Sequence, residues 1–307
     1  MNRDDCQHLL AERDQLCRIL KNIPEEDVID RMSVQARFEE VETALAKNQL
    51  VQREPARVRL TFRGKPVVGT YGIFADFGAS AVSKFIDAVA GVAASFSAPL
   101  AASGPIPNRV KNQLLITSTA VGSFGFELEE HLEAQLPLVD GPTEVGLALE
   151  QTQALLQGTL GSDDELADTA ADVDPRAIGL VRSFLEILTT NDATCSLESG
   201  GRTFRFNDLG QVRRSFERLS QDNLQEQSQV LEGEFQGVLP KRRTFEFILA
   251  GQTEIITGKV GPVIQEAALL NSLLGQPVRV KVMTTRVGNG RPRYLLLEEP
   301  EINQKPE

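Results

Sequence analysis

The residues able to do chemistry are few. Glu127, Glu129, Glu130 and Glu133 cluster around His131, at the end of a run in which Phe124, Phe126 and Leu128 alternate with Gly125, Glu127 and Glu129. Alternation in an extended strand puts Glu127 and Glu129 on one face and Glu130 on the other, which separates them as metal ligands and makes His131 a surface residue. Cys6 and Cys17 fall on one helical stretch, roughly 16 Å apart at 1.5 Å per residue, too far for a disulfide. Cys195 stands alone, and the two histidines, His8 and His131, are distant in the chain. The expectation is a reducing compartment with no zinc site, no other metal and no cofactor. The sequence has no phosphate loop of the Gly-Lys-Ser/Thr kind, no His-Glu-x-x-His, no nucleophile elbow and no acidic pair followed by Glu-x-Lys, so a non-catalytic protein is expected.

Cations are the more informative group. Between 230 and 297, Lys241, Arg242, Arg243, Lys259, Arg279, Lys281, Arg286, Arg291 and Arg293 outnumber Glu232, Glu234, Glu246, Glu254 and Glu266, although the whole chain carries −11. Guanidinium donors match phosphate oxygens, and acidic protein surfaces equally well. The strand pattern around them reads 230–239, 244–250, 253–260, a helix at 262–274, then 277–287 and 292–297. Five short strands with one helix between the third and fourth is the order of an OB-like small β-barrel, with an SH3-like barrel as the alternative. On the OB reading Lys241, Arg242 and Arg243 occupy the first loop, while Arg286, Arg291 and Arg293 flank the fourth. These six are the candidate site for single-stranded nucleic acid or an acidic partner surface. Phe245 and Phe247 point to the core, so the stacking platform for single strands is thin. Arg57, Arg59 and Arg63 alternate on an earlier strand and read as a solvated face.

Other elements position these groups. Residues 1–50 read as two helices: Leu9, Leu10, Leu16, Leu20 and Ile23 form one stripe, and Val34, Phe38, Val41 and Leu45 another that starts after Ser33 as N-cap. The narrow stripes allow a packed hairpin or an oligomerisation arm, with Phe38, Val41 and Leu45 as its seam. Strands follow at 57–63, 67–75, 113–121 and 124–129, around a small-residue helix at 80–96 that is too short and too charged to span a bilayer comfortably. A helix ends at Gly158. Ser162 with Glu165 forms a capping box, and Asp174-Pro175 opens a further helix. A hairpin around Ser199-Gly200-Gly201, a last helix along Leu209, Val212, Phe216 and Leu219, and a polar linker at 220–229 complete the middle.

The expected fold class is α+β: an N-terminal helical arm at 1–50, a central α+β domain at 51–222, a small β-barrel at 228–298 and an acidic tail at 299–307. No membrane segment or export signal is read at the N-terminus, and the cytoplasm is the expected location. The barrel is expected to bind nucleic acid or a partner. The alternative is an oligomeric scaffold or adaptor with a purely structural barrel.

Gly104-Pro105-Ile106-Pro107-Asn108, Gln113-Leu114-Leu115-Ile116 and the stretch Gly122-Ser123-Phe124-Gly125-Phe126-Glu127-Leu128-Glu129 resemble uncharacterised bacterial proteins of the kind met in anti-phage defence neighbourhoods. Gly237-Val238-Leu239-Pro240, Phe245-Glu246-Phe247 and Gly258-Lys259-Val260-Gly261-Pro262 are similar to their C-terminal part. The resemblance touches about half the chain, carries no catalytic residue, and implies a bacterial cytoplasmic setting with a defence or regulatory role.

Overall fold

The computed structural model describes residues 3–24, 27–48, 55–120, 124–132, 142–288 and 290–302. The chain forms two compact units, Met1–Pro55 with Leu132–Thr143, and Ala56–His131 with Glu144–Glu307.

In the first unit α1 (Arg3–Asn22) and α2 (Val28–Asn48) pack on each other, and Arg37 of α2 donates to Glu12 of α1 at 2.9 Å. Helix α2 starts five residues before the expected cap at Ser33: the amide of Arg31 already donates to the carbonyl of Asp27, a first helical turn. Val41 and Leu45 are 1% and 6% exposed within the single chain, and Phe38 is half-buried.

The second unit opens with β1 (Arg57–Gly64), a two-residue hairpin β2 (Val67–Val68) and β3 (Gly72–Ile73), and α3 (Ala75–Ser95). The expected long strand at 67–75 is thus a tight hairpin turning at Gly69, which has a φ of +55°. Then come β4 (Leu114–Ala120), β5 (Phe124–Glu130), α4 (Glu144–Leu160), α5 (Asp163–Ala170), α6 (Pro175–Thr190), β6 (Ala193–Ser199), β7 (Arg202–Arg205) and α7 (Leu209–Arg218). The strands form an antiparallel five-stranded sheet in the order β4-β5-β1-β6-β7.

Alternation along β1 buries Val58, Leu60 and Phe62 with Leu128, Cys195, Leu197 and the helices in one core. Phe62 meets Phe77 edge-on at 5.3 Å, and Phe85 meets Phe184 at 5.5 Å. Helix α3 is long and apolar enough to cross a membrane by length and composition, yet 67% of its most apolar window is buried in this core. Its glycine at 91 serves a helix–helix approach: a Cβ there would lie 2.5 Å from Leu180 Cδ1 of α6. The capping box of Ser162 and Glu165 and the N-cap of Asp174 before Pro175 both form as the sequence indicates.

The barrel comprises β8 (Leu224–Leu239), β9 (Thr244–Leu249), β10 (Ile255–Val260), a 3-10 helix (Ala267–Leu273), β11 (Pro277–Val287) and β12 (Arg293–Leu296), with β13 (Glu301–Ile302) added to the free edge of β11. The order β12-β10-β9-β8-β11 closes through a β11–β12 pairing, and β10 runs parallel to β12. Phe235, Phe245 and Phe247 fill the interior with Val278, Val280 and Val282. A single 16-residue strand serves both sides of the closure: β8 pairs with β11 from Leu224 to Glu234, then with β9 from Gly233 to Leu239. A bulge between Phe235 and Gly237, the latter at φ +124°, makes the bend between the two partners.

Two expectations change here. The polar linker at 220–229 contains the first part of β8, because its backbone is paired residue by residue with β11 from Leu224 onward; Gln229, for one, bonds the Thr284 hydroxyl at 2.5 Å. The helix at 262–274 is reduced to the 3-10 turn at its end: the stretch before it closes as a tight turn, with the Ile264 amide donating to the Gly261 carbonyl at 3.2 Å, and is tied to Arg243 through the carbonyls of Gly261 and Ile264.

Candidate binding surfaces of the barrel

The turn joining β8 to β9 carries the first cluster of cations. Lys241 and Arg242 are exposed. Arg243 differs in both backbone and side chain. Its φ is +50°, and its guanidinium donates to the carbonyls of Gly261 and Ile264 at 2.6 Å and of Val260 at 3.3 Å, while its own carbonyl accepts from the Val260 amide at 2.7 Å. Arg243 therefore clamps the turn to the 260–264 loop. The 3-10 helix closes the same end of the barrel: the Asn271 amide holds both the N–H and the carbonyl of Val238, and the glycine at 237 leaves room for Leu274 Cδ1, 3.1 Å from where a Cβ would be.

Arg286, Arg291 and Arg293 stand elsewhere. Register pairs Leu239 with Thr244 at one end of β8 and Leu224 with Val287 at the other, so the two loops lie at opposite ends of one long strand and do not form a joint rim. Arg286 donates to the carbonyl of Gly290 at 2.9 Å, and Arg291 is exposed. Arg293 reaches out of the barrel to α5, bonding Asp168 at 2.5 Å and Asp164 at 3.4 Å; Asp168 chiefly, with Asp164, holds its guanidinium pKa above the ordinary value. Lys259 bonds Asp172 just beyond α5 at 2.5 Å. Asp164 and Asp168 of α5, with Asp172 just beyond it, thus neutralise Arg293 and Lys259 of the barrel. Within the barrel, Arg279 pairs with Glu232 at 2.8 Å and Lys281 with Glu298 at 3.3 Å.

On the five-stranded sheet, register sets Arg59 opposite both Glu127 and Glu198, and Arg57 opposite Glu129. Arg57 bonds Glu129 at 2.9 Å and Arg59 meets Glu198 at 3.6 Å, so the face that the alternation reads as solvated is matched in charge by the neighbouring strands. Glu130 turns the other way and accepts from the Ala56 amide at 3.0 Å, while Glu133 lies outside the described residues. Lys65 and Arg213 converge on Asp192, and Lys65 above all holds that carboxyl below the usual range. Burial pushes the Cys195 thiol up, so it is an inert core group.

One titratable residue escapes sequence reasoning because it sits in the stretch that reads as a linker. Glu226 on β8 is pushed up to about 7, mainly by burial and secondly by the negative charge of Asp174, the N-cap of α6. No protein-family model, curated protein or solved structure matches this chain.

Proposed function

We propose that this protein is a non-catalytic, protein-binding adaptor in which an OB-type barrel is built into an α+β body. The strand path supports the OB assignment. Counting β8 to β12 as one to five, strand one pairs with two and four, three runs beside five, and the short helix joins three to four. The observation that carries the functional reading is the charge on the outer surface of the strands that OB-folds offer to oligonucleotides. Glu246 is exposed on strand two and Lys259 of strand three is held by Asp172, while exposed Glu232 and Glu234 lie on the neighbouring strand one and Glu254 in the turn that leads into strand three. A phosphate backbone laid on it would meet carboxylates, and Phe245 and Phe247 are buried where no base can stack on them.

The test is an anisotropy titration of labelled oligothymidylate with the full chain at low salt. No saturable rise is expected. A saturable rise whose midpoint weakens steeply with salt would overturn the reading in favour of nucleic-acid binding. Freshly purified protein gives an independent check, since with no Trp and two Tyr it absorbs weakly at long ultraviolet wavelengths and any bound nucleic acid dominates the spectrum.

A further inference from the structure

The closed end of the barrel combines two features. Leu239, Val263, Leu269 and Leu274 are apolar yet 51% to 63% exposed. The contacts of Arg243 bring the 241–242 turn against the 260–264 loop that carries Val263, and Asn271 and Leu274 pack the 3-10 helix onto the end of β8 beside Leu239. Lys241 and Arg242 therefore adjoin this apolar group, and among the described residues neither has an ion-pair partner, although the same barrel pairs Lys259, Arg279, Lys281 and Arg293 with carboxylates. Glu266, an acidic residue just before the 3-10 helix, is exposed.

We infer that this end docks an acidic, apolar segment of a partner protein, with aliphatic side chains seated among Leu239, Val263, Leu269 and Leu274 and carboxylates on Lys241 and Arg242. The inference rests on the adaptor reading and gives it a surface and a partner chemistry. Charge complementarity selects the occupant: the pairing of Arg293 with the Asp residues of α5 repeats the same chemistry inside the chain. A second copy docked face to face would set these cations against their own kind. Nucleic acid would leave the leucines in water. An anionic membrane gains too little from the two cations Lys241 and Arg242 when no aromatic anchor flanks them.

The experiment pans a random peptide library against the immobilised full chain, with K241E/R242E and V263D/L269D as comparison baits. All four positions are exposed, so both variants are expected to keep the wild-type melting temperature. The expected clones combine Asp or Glu with Leu, Ile, Val or Phe, and each variant weakens their binding about tenfold or more. The inference is overturned if no clone depends on these residues, if the dependent clones are basic or uncharged, or if anionic vesicles or oligothymidylate bind through the same residues. Failure of the library without oligonucleotide binding removes this surface and leaves the adaptor reading. Oligonucleotide binding removes the reading itself.

Discussion

Lys241, Arg242 and Arg243 are adjacent cations in one turn, yet only Arg243 has its guanidinium closed on backbone carbonyls. Hydrogen bonds to a charged group contribute about 1.5–3 kcal/mol, so Arg243→Ala is expected to lower stability by about 2–3 kcal/mol in urea unfolding. Lys241→Ala and Arg242→Ala should stay within about 0.5 kcal/mol. Equal effects of all three would refute the clamp. Glu226 makes the opposite kind of contribution. Its folded pKa of about 7 exceeds the unfolded 4.5, so the folded state binds the extra proton between those values. Stability is therefore highest below that window and falls as pH rises through it, by up to about 3 kcal/mol. Glu226→Gln should abolish most of this loss, of which urea unfolding at about pH 5.5 and about pH 8 reads about 2 kcal/mol; an unchanged difference would place its origin elsewhere.

Strand β8 decides the shape of the barrel because it must leave β11 and join β9 without breaking. The glycine at 233 is where it touches both partners, and a Cβ there would lie 2.0 Å from the carbonyl oxygen of Ile248. Gly233→Ala is expected to destabilise by about 3 kcal/mol, the upper end of overpacking. Gly251→Ala provides the control, since nothing lies within 4 Å of its Cβ position and only its φ of +75° opposes the change. Circular dichroism melts of the two variants rank them, and a smaller loss for Gly233→Ala would contradict the close approach. Helix α5 carries a second role at this scale. Exposed ion pairs contribute about 0.2–1 kcal/mol each, so Asp168→Asn with Asp172→Asn should cost about 1 kcal/mol at low salt and less at high salt.

Body and barrel share a core at their junction: Leu224 at the start of β8 and Val287 at the end of β11 are buried among the body's hydrophobic residues. Val287→Ala, though made in a barrel strand, is expected to cost about 2 kcal/mol and to shift body and barrel together in one denaturation transition. Separate transitions would show that the barrel is an independent module. Much of this molecule is fixed by local rules. Alternation in β1, the capping box at Ser162, the Asp174-Pro175 helix start, the glycine turn after Ser199 and the small-barrel strand order were all legible, because each depends on residues close in the chain. Other features depend on partners far away. Nothing in 224–229 marks it as a strand, since its hydrogen bonds come from β11 some sixty positions later. The charge count of the barrel could not separate Arg243 and Arg293, which are engaged, from Lys241 and Arg242, which are not. Nor could the stripe of Val41 and Leu45 tell burial within one chain from a seam between chains. Composition and periodicity determine which face of an element is apolar or charged, and only the tertiary structure decides what that face meets, because the free energy of an exposed or buried group depends on the neighbour that replaces water.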